Sequence, residues 1–334
     1  MKVKKITIAL GLLLFWSQGF SQDPDFSQFF ASPLTVNPAL TGSFYGQWMG
    51  ISNFRNQWAG PVSPYKTVSL CFQSKAMKKV TGENNTLGFG GMIINDESMD
   101  GAFKSIYSSF TTAYHVTVDA DNQHHIGVGL GGIYANRRID FARLSFPAQF
   151  SNGTFDLSLP NGETSLSAMK PFWSATAGLV YSYTGDFNFD LGIAGFHFNK
   201  PSQTVLQDGN QFVYPRYVLH SNLETYLNEQ VVLAVNVIYQ RQKSTSSFLM
   251  GGTLGYNLSS DEDAPLLFNA GAWYRNKDAI IPYLGVTVNN FQFGLTYDVT
   301  LSKLKDAAIK PRTIELSLIV REPKAPKGIP CTWK

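Results

Sequence analysis

The chain has 334 residues with 27 Lys and Arg, 24 Asp and Glu, 15% charged residues, 14% aromatic residues and 29 glycines. Three of the lysines stand in the first five positions, so the remainder carries 24 charges of each sign, and the basic balance that would point to nucleic acid is gone. Two cysteines, Cys71 and Cys331, are too few for a disulfide framework and have no metal-ligand spacing.

Lys2, Lys4 and Lys5 precede an apolar run from Ile6 to Trp16, followed by small residues at Gly19 and Ser21. This is the pattern of a secretory signal over 1–21, with the mature chain beginning at Gln22. The run is shorter than the ~20 residues of a spanning helix, and no cysteine stands beside the cleavage site to carry a lipid. The next segment, 22–44, holds Pro24, Pro33 and Pro38 without alternation, and reads either as a periplasmic arm or as a plug in a lumen.

Period-two alternation dominates 45–321. "IGVGLGGIY" sets Ile126, Val128, Leu130 and Tyr134 against Gly127, Gly129 and Gly131, and "FQFGLTYDV" sets Phe291, Phe293, Leu295, Tyr297 and Val299 against Gln292, Gly294, Thr296 and Asp298. "VVLAVNVIY" and "TIELSLIV" repeat the device. Soluble strands average about 5 to 6 residues, whereas several runs here reach roughly 9 to 13, the length a tilted strand needs to cross a bilayer. A soluble sandwich would have to build its core from Gly, Ser, Thr and Asn. An outward apolar band around a small polar interior fits better, giving an all-β, antiparallel up-and-down transmembrane barrel.

About fourteen strands are counted, beginning near Gln47, Tyr65, Asn85, Lys104, Gln123, Phe172, Phe187, Val213, Val231, Ser246, Leu266, Ile280, Asn290 and Arg312. Tight turns at Asp119, Thr184, Asn228 and Asn289 follow even-numbered strands, and the long connections Arg137 to Lys170, Asn199 to Phe212 and Leu301 to Pro311 follow odd-numbered ones. Short periplasmic turns and long outer loops are the rule for outer-membrane barrels, so both termini are expected in the periplasm. "FRNQWAG", Phe54 to Gly60, then falls in the first outward loop, with Phe54 and Trp58 at an aromatic girdle. The Pro- and Lys-rich tail 322–334 reads as an extended periplasmic end.

Catalytic sets are weak. In "LHSNLE", His220 and Asn222 share a strand face and Ser221 takes the other, so a lipase set cannot converge from this strand. His124 and His125 point oppositely and lack a second ligand pair. No glycine loop opens a helix, so no nucleotide or other cofactor is implied. Taking each polar face as inward places Arg216, Glu224, Arg275, Asp298 and Glu315 in the lumen, where charges on neighbouring strands should pair. They read as a constriction or docking network for a plug, or as a structural ladder of ion pairs.

Several stretches together resemble one family. "DPDFSQFFASPLTVNPALTGS", "FRNQWAG", "WYRNKDAIIPYLGVTVNNFQFGLTYDVTLSKL" and "IELSLIV" with a Pro-Cys tail look like the PorP/SprF outer-membrane proteins of Bacteroidetes. The motif positions are Asn37, Pro38, Gly42, Arg55, Asn56, Gln57, Trp58, Tyr297, Asp298 and Ser302. The resemblance implies a non-enzymatic accessory of the type IX secretion machinery in the outer-membrane lipid. Its partner would be a cargo protein with a C-terminal signal domain, gliding adhesins among them. The competing reading is a passive diffusion channel for small or apolar solutes. On the first reading the loop Arg137 to Lys170 is the expected cargo contact.

Overall fold

Alternating side chains cannot be satisfied by a strand alone. Each run must put one face into lipid or a core and pair its backbone along both edges. The computed structural model describes residues 23–60, 63–76, 84–163, 169–204, 211–259, 266–307 and 309–322. The expected signal 1–21, the tail beyond Glu322 with Cys331, and Pro61 lie outside them.

The strands are β1 (Trp48–Ala59), β2 (Tyr65–Lys75), β3 (Thr86–Ser98), β4 (Phe103–Thr117), β5 (His124–Ile139), β6 (Phe172–Thr184) and β7 (Phe187–Phe196). They continue as β8 (Arg216–Tyr226), β9 (Val231–Gln242), β10 (Thr245–Asn257), β11 (Leu266–Arg275), β12 (Ala279–Val288), β13 (Phe291–Thr300) and β14 (Arg312–Arg321). Each pairs antiparallel with its neighbours and β1 closes on β14, so the sheet has no free edge. Outward residues such as Leu70, Phe110, Leu130 and Phe293 are at least half exposed, forming the apolar band that lipid would cover.

Every strand begins within one residue of its expected start except β8. There Val213 remains in the preceding connection, its N–H bonded to the Pro201 carbonyl at 3.0 Å, because Pro215 has no N–H to donate to a ladder. Two other boundaries are corrected. The stretch Phe54 to Trp58 is not a loop but the end of β1, with Arg55 opposite Glu315 of β14 and Thr67 of β2. Arg137 is not in the long loop either, since β5 continues to Ile139 and turns Arg137 inward onto the Tyr107 hydroxyl, 2.6 Å from Nη2. In both cases a buried partner for an arginine prolongs the strand. The long loop therefore starts at Asp140, and it carries a small hairpin, Phe150–Ser151 against Thr154–Phe155.

The interior is not uniformly polar. Met49, Ile51, Ile94, Ile238, Leu249 and Ile281 face inward and are buried, and what covers them is the chain's own N-terminal segment.

Candidate functional site in the barrel lumen

Residues 23–44 run through the barrel. The segment contains a single α-turn, Pro33–Val36, between two 3-10 turns, Phe29–Ala31 and Pro38–Leu40. Prolines at the first position of two of these turns stop any longer helix while costing no hydrogen bond there. Ala31, Leu34 and Phe44 pack on one side of the lumen, Phe29 and Val36 on the other. Phe30 lies against Trp273 and Tyr283, at ring separations of 5.3 and 5.6 Å. The gaps left around Asp190 and His220, and around Tyr107 and His197, are about 40 Å³ each, room for a few waters.

At the end that carries the long loops, charge holds the segment. The Asp23 carboxylate lies 2.8 Å from His197 Nε2, 3.0 Å from Arg216 Nε and 3.9 Å from Arg137. Burial would raise the Asp23 pKa, but His197, Arg216 and Arg137 together outweigh it and keep the carboxyl below the usual range. His197 Nδ1 is in turn 2.6 Å from the Ser174 hydroxyl. Asp25 accepts from Arg55 Nη1 at 3.0 Å. Glu315 receives the backbone N–H groups of Ser27 and Gln28 on its two oxygens, at 2.7 and 2.9 Å, while Arg55 Nε lies 3.1 Å from Oε1. The Ser27 hydroxyl donates to Asp298 at 3.0 Å, and Arg275 binds that carboxylate at 2.9 Å.

At the short-turn end the wall makes room instead. A Cβ on Gly178 would stand 1.9 Å from Asn37 Oδ1, and one on Gly129 would stand 2.3 Å from the Ala39 nitrogen. The Asn37 amide caps the Pro38 turn through the Ala39 N–H at 2.8 Å, and its nitrogen donates to the Leu179 carbonyl and to His220 Nε2, each at 3.0 Å. Thr41 meets Thr111 at 2.7 Å, and its carbonyl accepts from His115 Nε2 at 2.9 Å. Gly42, at φ +78°, then turns the chain out toward β1.

The sequence-derived residues divide by this geometry. Asn37, Pro38 and Gly42 belong to the threaded segment. Of the next motif only Arg55 enters the lumen cluster; Asn56 and Gln57 are half-buried, and Trp58 packs on Tyr65 at 5.5 Å. Asp298 faces inward, whereas Tyr297 faces lipid and Ser302 lies in the last connection, its N–H on the Asp278 carbonyl at 3.1 Å. Arg216, Arg275, Asp298 and Glu315 meet the segment, while Glu224 is buried in the other half of the barrel, in register with Ala234 and Asn188. Sequence reasoning placed no histidine against the segment. His115 and His220 sit on polar strand faces beside threonines and asparagines, which was the signal available, and His197 lies one residue past β7.

Both ends of the chain lie outside the described residues. Trp48 and Arg321 start and finish the barrel at the short-turn end, but Asp23 lies in the opposite half. The segment reaches β1 by crossing the lumen, its acidic start held by Arg216, Arg137 and His197 at the far end.

A family model described as "Type IX secretion system membrane protein PorP/SprF" matches residues 18–319. Among solved structures, the chain is similar to the CymD monoaromatic hydrocarbon channel at 12% identity, with TM-score 0.50, covering 87% of this chain and 93% of that one. It is also similar to a Pseudomonas aeruginosa FadL homologue at 8% identity, with TM-score 0.50, covering 90% and 94%. At such identities the likeness shows the barrel fold alone. No curated protein matches the chain significantly.

Proposed function

Because the chain belongs to the PorP/SprF family of type IX secretion system membrane proteins, we propose that it is an outer-membrane accessory that secretes or anchors one particular cargo at the cell surface. The short turns face the periplasm and the long loops face outward, as the connection lengths favour. On this reading the segment 23–44 is a plug, and the barrel is a platform for cargo rather than a pore for solutes. The observation that carries this is the occupied lumen: ion pairs at one end and a glycine-lined cradle at the other hold the segment across its whole length. No reaction chemistry is assigned to the barrel.

The test compares surface-attached and released proteins in the native host with and without this gene. Loss or release of one large exported protein, with the others unchanged, supports the reading. An unchanged protein profile together with slower uptake of a small apolar solute would replace it with the channel.

A further inference from the structure

The lipid face is indented where β5 to β9 run side by side. One register row reads Leu130, Ala177, Gly195, Tyr217, Arg241, and the next row toward the short turns reads Val128, Leu179, Ile193, Leu219, Tyr239. The second row is large throughout. The first is large at Leu130 and Tyr217 and small between them, which opens an apolar groove of about 630 Å³ on the outside of the barrel. The Phe198 ring lies over Gly195, 2.2 Å from where a Cβ would stand, and roofs the loop end of the groove, so the open trough runs over Ala177 between Leu130 and this ring. Just beyond this roof the charge changes character. Described residues 169–176, 194–204, 211–218 and 239–246 contain Lys170, Lys200, Arg216, Arg241 and Lys243 and no acid. Arg216 turns inward to Asp23, whereas Lys200 and Arg241 are exposed, and the Lys243 ammonium lies over the Tyr214 ring at 4.2 Å. The turns at the opposite end of these strands carry Asp119, Asp121, Asp186 and Glu229 and no Lys or Arg.

We propose that this groove and its basic rim bind a phosphorylated, multiply acylated glycolipid of the outer leaflet. One acyl chain lies along Ala177 between Leu130 and the Phe198 ring, and the phosphate meets Arg241 and Lys200. The groove supplies an apolar trough, and the described stretches at its rim supply cations and no acid, a pairing that a zwitterionic headgroup would use poorly. Arg241 is opposite Tyr217 in the register, so one headgroup cation is fixed to the strand beside the chain site. The assignment rests on the orientation proposed above.

The test is native mass spectrometry of the full-length protein extracted from outer membranes in mild detergent. One adduct with the mass of a phosphorylated acylated saccharide is expected. The triple variant Lys200→Ser, Arg241→Ser, Lys243→Ser should lower its occupancy at least tenfold, and Ala177→Leu should lower it by blocking the chain site. Both should keep the heat-modifiable gel mobility of a folded barrel; if Ala177→Leu does not, the triple variant decides alone. Equal occupancy in the triple variant, or a zwitterionic phospholipid held equally by both proteins, overturns the site. Labelling of Asn152→Cys on intact cells by a membrane-impermeant maleimide, against the unlabelled wild type, reads the orientation separately. Labelling without the adduct removes the lipid site alone, and failure to label removes the orientation and the outer-leaflet assignment with it.

Discussion

Arg55 and Glu315 face each other directly in the β1–β14 register with side chains 3% and 1% exposed. A pair so buried is worth little against an apolar isostere, but removing one member leaves a charge stranded, at a cost of ~3–5 kcal/mol. Glu315→Gln is therefore expected to lower barrel stability by about that amount, read as a drop in the temperature of the heat-modifiable gel transition. Arg55→Lys should not restore what Arg55→Met loses, because one guanidinium spans both Asp25 and Glu315 and a single ammonium cannot form that fork. A second residue-scale test concerns space. Gly178→Ala puts a methyl group where Asn37 Oδ1 stands, so the segment should detach at its lower end and become open to protease. Adding Asn37→Ala should relieve the clash, making the double variant less protease-sensitive than Gly178→Ala alone; an additive result would mean the cradle does not position Asn37.

Among the elements, the strands were legible in the sequence, and the segment only as far as two alternatives, a periplasmic arm or a plug. Strands declare themselves by local alternation, and a run such as Phe291 to Val299 needs only its own side chains to fix which face is inward. The segment 23–44 has no period, because each of its residues answers to a different strand: Ser27 to β14 and β13, Asn37 to β6 and β8, Thr41 to β4. Such contacts span 70 to 288 positions in sequence and leave no local trace beyond the prolines. The same blindness misplaced Arg55 and Arg137, whose strand character depends on buried partners. As an element, the segment predicts a measurement: removing residues 23–43 should turn a non-conducting protein into one that conducts in a planar bilayer. Equal conductance with and without the segment would show that it does not seal the lumen. Its upper anchor also has a defined pH behaviour. The Asp23 pKa is lower in the folded protein than in the unfolded chain, so its stabilisation is complete above the usual carboxylate range near about 4 and fades only as pH falls through the lower folded value. The segment should therefore stay protected from protease from pH 8 down to about 5, whereas Asp23→Asn should loosen it at every pH in that window.

At the scale of the molecule, a sealed barrel can present only its loops to a partner outside the cell. The largest of these, from Asp140, folds back on itself: the Gln149 side chain receives the Phe146 N–H at 3.1 Å and donates to the Leu159 carbonyl at 2.9 Å. That internal bonding holds out a hairpin whose tip pairs Phe150 with Phe155 at 5.1 Å, both more than half exposed, with Leu157 beside them. Apolar side chains displayed beyond the membrane band, on a loop braced by a rigid sheet, are the usual make-up of a recognition surface. Deleting Asn152 to Glu163 removes Phe155, Leu157 and Leu159 while leaving every barrel strand intact. Cargo retention at the surface is expected to be abolished, with the barrel still inserted and its heat-modifiable mobility unchanged. Full retention in that variant would move recognition to the other outer connections, between β7 and β8 or between β13 and β14. The expected loss would make this loop the contact through which a closed barrel holds its cargo.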